Sequence, residues 1–214
     1  MIDLLLQYPL FYRLYQKTVR KKNNEYDFFK YMFSEISEDK KIKILDLCSG
    51  DSFVLNYIAE YIDDYIGVDN NEKYLKKLKQ KWPKYKFLNR DITTLEKIEE
   101  LKKFEPNFIF MNGAIHHLDD KTMISIDSFV NNKNNSLFLS VDPIKHNNRL
   151  INKIMIFFDR GKFIRNKSEY KNIMGNYESV IIDDFYQMSF QNMFHYKNFN
   201  LMKLYEKWKN SLNS

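Results

Sequence analysis

One cysteine, five glycines and four prolines in 214 residues withhold the raw material of several kinds of protein. A lone thiol, Cys48, cannot close an internal disulfide, so a small secreted scaffold held by bridges is excluded. No Cys/His cluster has the spacing of a structural zinc site, and no metal is expected. The scarcity of glycine and proline, without any repeat, rules out fibrous and low-complexity chains. Nowhere does the chain run for about 20 uncharged apolar residues, the length a membrane helix needs. The opening MIDLLLQYPLFYRLYQK is apolar, yet it carries Asp3 and Arg13 and lacks a basic leader and a small-residue cleavage site. It is expected to be an amphipathic helix, and the protein is expected in the cytoplasm.

Hydrophobic residues make up 44% and charged residues 29%, with 16% aromatic, which suits one globular core of ordinary size. The formal charge of +6 and a pI near 9.1 raise the question of an anionic partner. Lys, Asn, Ile and Tyr crowd the whole chain, however, and the densest basic run, Arg20 to Lys22, is short and lacks interleaved aromatics. Nucleic acid is therefore not the expected partner.

Along the chain the apolar rhythm changes once. Residues 1–40 read as a helical cap, with one stripe over Leu4, Leu5, Tyr8, Phe11, Tyr12 and Tyr15 and a second from Tyr26 to Ile36. From Lys41 onward, short apolar runs alternate with helical stretches, the pattern of β-α-β units and a parallel sheet, taken as one compact domain over residues 41–214. Strands are expected at Ile42 to Leu47, Tyr65 to Val68, Tyr85 to Leu88, Phe108 to Met111 and Leu137 to Val141. A closing pair follows at Ser179 to Ile182 and Met193 to Tyr196. Helices are expected at Phe53 to Tyr61, Asn71 to Trp82, Leu95 to Phe104, Lys121 to Val130, Asn147 to Phe158 and Ser168 to Met174, with Pro83 and Pro106 marking stops.

Polar residues collect where the first four strands end. KILDLCSGDS runs from the first strand into Asp46 and a small-residue turn. YIGVDNN ends in Asp69, about twenty residues later, the spacing at which a carboxylate accepts from ribose hydroxyls. FLNRDIT places Asp91 at the third end, where it can accept from an exocyclic adenine amine, and FMNGAIHHLDD brings Asn112, Gly113, His116 and His117 to the fourth. Open α/β sheets bind ligands at this carboxyl edge.

In this order the segments resemble the motifs of class I S-adenosylmethionine-dependent methyltransferases, from about Lys41 to Val141. VDP at Val141 to Pro143 and DRGKFIR at Asp159 to Arg165 resemble a bacterial small-molecule branch of that family. The resemblance implies a Rossmann-like, doubly wound sheet of seven mostly parallel strands, with S-adenosylmethionine as cofactor and S-adenosylhomocysteine as product. It implies that Asp46 and the backbone at Ser49 and Gly50 hold the methionine part, Asp69 with Asn70 the ribose, and Asp91 with Ile92 the adenine. Asn112 and Gly113 would line the loop beneath the sulfonium. The family's loop reads Asp-x-Gly-x-Gly-x-Gly, whereas here Cys48 and Ser52 replace the first and third glycines. Side chains there restrict φ, so the loop is expected to shift or to hold the cofactor less tightly. Asp51 and Ser52 are expected to cap the following helix, and Cys48 to pack as a small residue.

Methyl transfer is an in-line displacement, so alignment matters most and a base helps where the acceptor carries a proton. His116, nearer the strand end, is the expected base, with helix capping by the HHLDD turn as the alternative. His117 and Arg160 are assigned to the substrate, Arg160 alternatively to a surface ion pair. Tyr12 closes over the cofactor or packs in the core, and Tyr186 and Phe190 shape a substrate wall or the core. His146 and His195 have no partners legible in the sequence. No Asn/Asp-Pro-Pro-Tyr motif for base methylation occurs, nor a cysteine placed for pyrimidine carbon methylation. The expected acceptor is an oxygen or nitrogen of a small molecule, with RNA or protein methylation, or a non-catalytic binding module, as alternatives.

Overall fold

Strands buried on both faces need apolar residues at nearly every position, and this chain supplies them: β1 (Ile42–Leu47) exposes only Lys43, and β4 (Phe108–Asn112) is buried up to its final residue. The computed structural model describes residues 24–38, 41–133, 135–145, 161–182, 185 and 192–213. Along with β1 and β4 it contains β2 (Ile62–Asp69), β3 (Lys86–Asn89), β5 (Leu137–Pro143), β6 (Glu178–Ile182) and β7 (Asn192–Lys197). They form one seven-stranded sheet in the order β3-β2-β1-β4-β5-β7-β6. β1 to β5 pair in parallel, and β7 enters antiparallel to both β5 and β6. This is the doubly wound, mostly parallel sheet expected. Because β1, β2, β3 and β4 run the same way, their four polar ends share one edge.

Each face of the sheet carries its own core. On one face lie α1 (Asn24–Ser37), α2 (Leu55–Ile58), α3 (Glu72–Lys81) and α7 (Leu201–Ser211). The expected stripe of α1 buries Phe28, Phe29, Met32 and Phe33 completely. Phe33 meets Phe108 at 4.8 Å between ring centres and Phe29 meets Phe110 edge-on at 5.4 Å, so this helix is part of the sheet's own core. The opposite face is covered by α4 (Glu99–Lys103), α5 (Asp120–Asn131) and α6 (Lys167–Ile173) over Leu45, Ile66, Ile109 and Phe138.

Several elements differ from expectation. The helix expected over Phe53 to Tyr61 shrinks to a single α turn continued by a 3-10 turn at Ala59–Tyr61, because β2 begins at Ile62, paired with Ile42. The helix expected from Leu95 breaks into a 3-10 stretch, Ile92–Lys97, and α4. The Asp91 side chain accepts from Thr93 N, and Thr94 leaves helical geometry inside the stretch. α7 was not expected at all, although Asn200 caps it and Leu201, Tyr205 and Trp208 bury at helical spacing. The stripe from Leu4 to Tyr15, the helix expected at Asn147 to Phe158, and Tyr186 and Phe190 lie outside the described residues.

Candidate functional site at the carboxyl edge

The loop leaving β1 takes an unusual backbone path. Cys48, Gly50 and Ser52 have φ of 57°, 53° and 42°, three alternate residues in the left-handed region. Only the middle one is a glycine, so Cys48 and Ser52 hold a backbone conformation that side chains disfavour, and the loop carries that local strain. A Cβ added at Gly50 would meet nothing within 4 Å, so the loop faces open space there.

Three interactions hold this path. Ser49 N donates to Val68 O at 3.0 Å, and Gly50 N donates to Asp69 Oδ2 at 2.8 Å. Beneath the loop, the fully buried Tyr65 hydroxyl donates to Asp46 Oδ2 and lies 2.9 Å from Ser52 Oγ. One phenolic proton serves one acceptor, and the Ser52 hydroxyl lies within hydrogen-bond distance of both Tyr65 and the Ser49 carbonyl. This corrects the expected capping role: α2 begins at an N-cap, Val54, without a side-chain bond, while Ser52 is tied inward to Tyr65. Gly67 makes room for this, since a Cβ there would lie 3.0 Å from Ser49 Oγ.

The electrostatics are acidic. Burial pushes the Asp46 carboxyl up to about 7, the Tyr65 bond opposing the rise and Asp69 adding to it. Burial, then the carboxylates of Asp69, Asp46, Asp142 and Asp91, raise the Cys48 thiol far above its usual range. Cys48 is therefore an uncharged thiol and no nucleophile, as expected.

Asp69 accepts from Gly50 N through Oδ2 and from Asn71 N at 2.7 Å through Oδ1. Each oxygen keeps a second lone pair, which suits a pair of ribose hydroxyls. Asn70 is the next residue in the same turn. Asp91 accepts from Thr93 N and Oγ1, both at 2.8 Å, which holds its carboxyl below the usual range. Its charge stands exposed at the β3 end, with Ile92 half-buried beside it. Ser49 Oγ is buried without a partner among the described residues.

The turn after β4 is built differently. Gly113, with φ of 65°, donates its N–H to Val141 O at 2.7 Å and leaves space whose nearest atom is His116 Cε1, at 3.8 Å. A 3-10 turn, Ile115–His117, then carries both histidines, their rings 4.1 Å apart. His116 is buried, and its Nδ1 lies 2.8 Å from Oδ1 of Asp142, which also accepts from His116 N at 3.1 Å. Burial raises the Asp142 carboxyl, against the hydrogen bonds and charge of His116. The capping alternative holds as well, because the HHLDD turn caps α5 through Asp119, whose side chain accepts from Thr122 N.

Two residues of this half were missed in the sequence, although both stand in the VDP and DRGKFIR segments quoted for the resemblance. One is Asp142. The other is Arg165, whose guanidinium donates to Ile115 O, Leu118 O and Phe163 O and to Asp120 Oδ1 at 2.6 Å. Tyr12, His146, Asp159 and Arg160 lie outside the described residues. His195 sits apart from the edge, its Nδ1 2.8 Å from Ser179 Oγ and its ring 5.0 Å from Tyr170. Burial holds it down to about 4, so it is a neutral core residue. Among the described residues no group of acids, histidines and cysteine is arranged to hold a metal, and no helix is long and apolar enough to cross a membrane.

A family model described as a methyltransferase domain matches residues 44–128. No curated protein matches the chain. Many solved structures share its fold. The magnesium protoporphyrin IX methyltransferase ChlM of Synechocystis PCC 6803, solved with bound SAH, is 11% identical with a TM-score of 0.59, over 82% of this chain and 83% of that one. The citrinin polyketide synthase CMeT domain is 11% identical with a TM-score of 0.65, over 91% of this chain and 58% of that one. The mitomycin 7-O-methyltransferase MmcR is 10% identical with a TM-score of 0.57, over 81% of this chain and 54% of that one. The chain thus spans little more than half the length of the last two. Residues 44–128 thus resemble a methyltransferase domain, and the chain shares the fold of these solved methyltransferases.

Proposed function

We propose that the protein is an S-adenosylmethionine-dependent methyltransferase of the cytoplasm that acts on an oxygen or nitrogen of a small-molecule acceptor. The observation that carries this reading is the loop after β1. Its three left-handed residues, its opening at Gly50 and its tie to Asp69 form a cradle between two strand ends, and the acids around it match a ligand with a sulfonium and an ammonium group. A dinucleotide, bearing phosphate charges, would be repelled there.

The residues present fit the cofactor. Asp46 and the backbone at Ser49 and Gly50 would hold the methionine part. Asp69, with Asn70 beside it, takes the ribose hydroxyls, Asp91 and Ile92 the adenine, and Asn112 and Gly113 floor the space by the sulfonium. When bound, this group supplies an electrophilic methyl carbon and departs as a neutral thioether. The chain's own work is to align the acceptor, exclude water and accept a proton at His116, with His117 and Arg160 toward the substrate. That ChlM and MmcR are named for small molecules supports the acceptor class.

The test is calorimetric titration with S-adenosylhomocysteine, with NAD as control, followed by acceptor screening with wild type and His116→Ala. Micromolar binding of the first ligand alone is expected, and His116→Ala should lower turnover at least tenfold with cofactor affinity within twofold. A folded protein that binds neither ligand would overturn the reading.

A further inference from the structure

The reading of His116 as a base leaves open how its imidazole is set, and the surroundings of that ring answer this. Asp142 is wholly buried at the end of β5, and its Oδ1 faces two nitrogens of one residue, the backbone N and the ring Nδ1 of His116. Its Oδ2 has no partner among the described residues. The backbone N–H can only donate, so Oδ1 is an acceptor, and the ring nitrogen beside it carries hydrogen. That fixes the tautomer: Nδ1 is protonated and Nε2 is the basic nitrogen. The Cε1 atom between the two is the atom nearest the space at Gly113, at the end of β4.

The turn that presents the ring is itself clamped. Arg165, almost wholly buried, donates to Ile115 O at 3.3 Å and to Leu118 O at 2.8 Å, the carbonyls on either side of the histidine pair. Phe163 N donates to His116 O at 2.9 Å, and Lys145 N donates to Arg165 O at 2.9 Å, which joins the strap to the exit of β5. Asp120 neutralises the guanidinium from the start of α5.

We propose that Asp142 is the positioning residue of His116, holding its imidazole as the Nδ1–H tautomer so that Nε2 accepts the acceptor's proton, and that Arg165 fixes the turn on which the pair is mounted. The proposal rests on the methyltransferase reading only for the identity of the proton's donor. The proton passes from the acceptor heteroatom to Nε2, giving an imidazolium whose charge Asp142 balances, and leaves to water after the transfer. Among the described residues, Asp142 and His117 stand beside the ring, with Arg165 and Asp120 acting through the turn.

The experiment is long-range proton–nitrogen NMR on protein labelled at histidine, with His116→Gln assigning the signals, read through a pH titration with and without S-adenosylhomocysteine. In the wild type, neutral His116 should be the Nδ1–H tautomer. In Asp142→Asn, which keeps an oxygen for the two donors but removes the charge, the titration midpoint of His116 should fall by at least one pH unit, a tenfold loss of proton affinity. Arg165→Gln should leave the midpoint within half a unit and mix the tautomers. An Nε2–H tautomer in the wild type, or an unmoved midpoint in Asp142→Asn, would overturn the proposal. Should Asp142→Asn not fold, the wild-type tautomer decides alone. Binding of the homocysteine compound with the wrong tautomer would sink the pair and spare the methyltransferase reading, and the right tautomer without binding would do the reverse.

Discussion

The loop after β1 and the turn after β4 stand side by side, since the two strands are hydrogen-bonded neighbours, yet each solves a different problem. The first is a backbone device. Its shape is three left-handed residues in alternation, held by Tyr65 from below and Asp69 from the side, and it keeps that shape with cysteine and serine where glycine would cost less. The second is a side-chain device, in which a carboxylate sets an imidazole and an arginine sets the turn beneath both. A backbone device tolerates substitution as long as the φ values can be paid for elsewhere. A side-chain device does not, because its chemistry resides in the atoms substituted.

The comparison is tested most severely at Asp69. Asp69→Ala removes the acceptor for two ribose hydroxyls and the tie to Gly50, so affinity for S-adenosylhomocysteine should fall by about 100-fold or more, as hydrogen bonds to a charged group each contribute roughly 1.5–3 kcal/mol. Calorimetry reads this directly, and unchanged affinity would remove Asp69 from the ribose site. Next is Tyr65→Phe, which strips the buried Asp46 of its donor and should cost about 1–3 kcal/mol in urea denaturation. If the mutant is as stable as wild type, the loop is not held from below.

A pH effect accompanies that pair. Folded Asp46 keeps its proton up to about 7, against an ordinary value of 3.8, so between the two the folded chain binds more protons than the unfolded one. This group's contribution to stability is present below the ordinary carboxylate range and declines as pH rises toward 7. Asp46→Asn should flatten the decline between about pH 4 and 7, and an equal slope in both proteins would refute the assignment. The smallest effect is expected for Cys48→Gly. Relief of a left-handed side chain works against the entropy gained by the unfolded chain, so stability should move by no more than about 1 kcal/mol, with cofactor affinity equal or higher. A large loss of affinity would mean that the sulfur, and not the backbone, shapes the cradle.

Much of the fold was legible in the sequence. The two-sided strands read as apolar runs because burial on both faces demands them, and Asp46, Asp69, Asp91 and Asn112 fell at one edge once the strands were taken as parallel. α7 was missed because its three buried residues are scattered among lysines and asparagines, so only the apolar surface of the sheet above it gives the pattern meaning. The 3-10 stretch at Ile92–Lys97 was missed because Asp91 and Thr93 compete locally with the helix ladder.

In the site, the sequence determined which residue types reach the carboxyl edge, since strand ends and turn chemistry are local properties. It could not say that Cys48 and Ser52 would adopt glycine's conformation, because the hydroxyl that stabilises the loop belongs to Tyr65 on the next strand. Nor could it pair His116 with Asp142, 26 residues away, or choose Arg165 to clamp the turn from 50. Those choices depend on distances across the sheet. Only the tertiary structure decided them, because the parallel register sets β5 beside β4 and thereby brings a buried carboxylate to the ring that needs it.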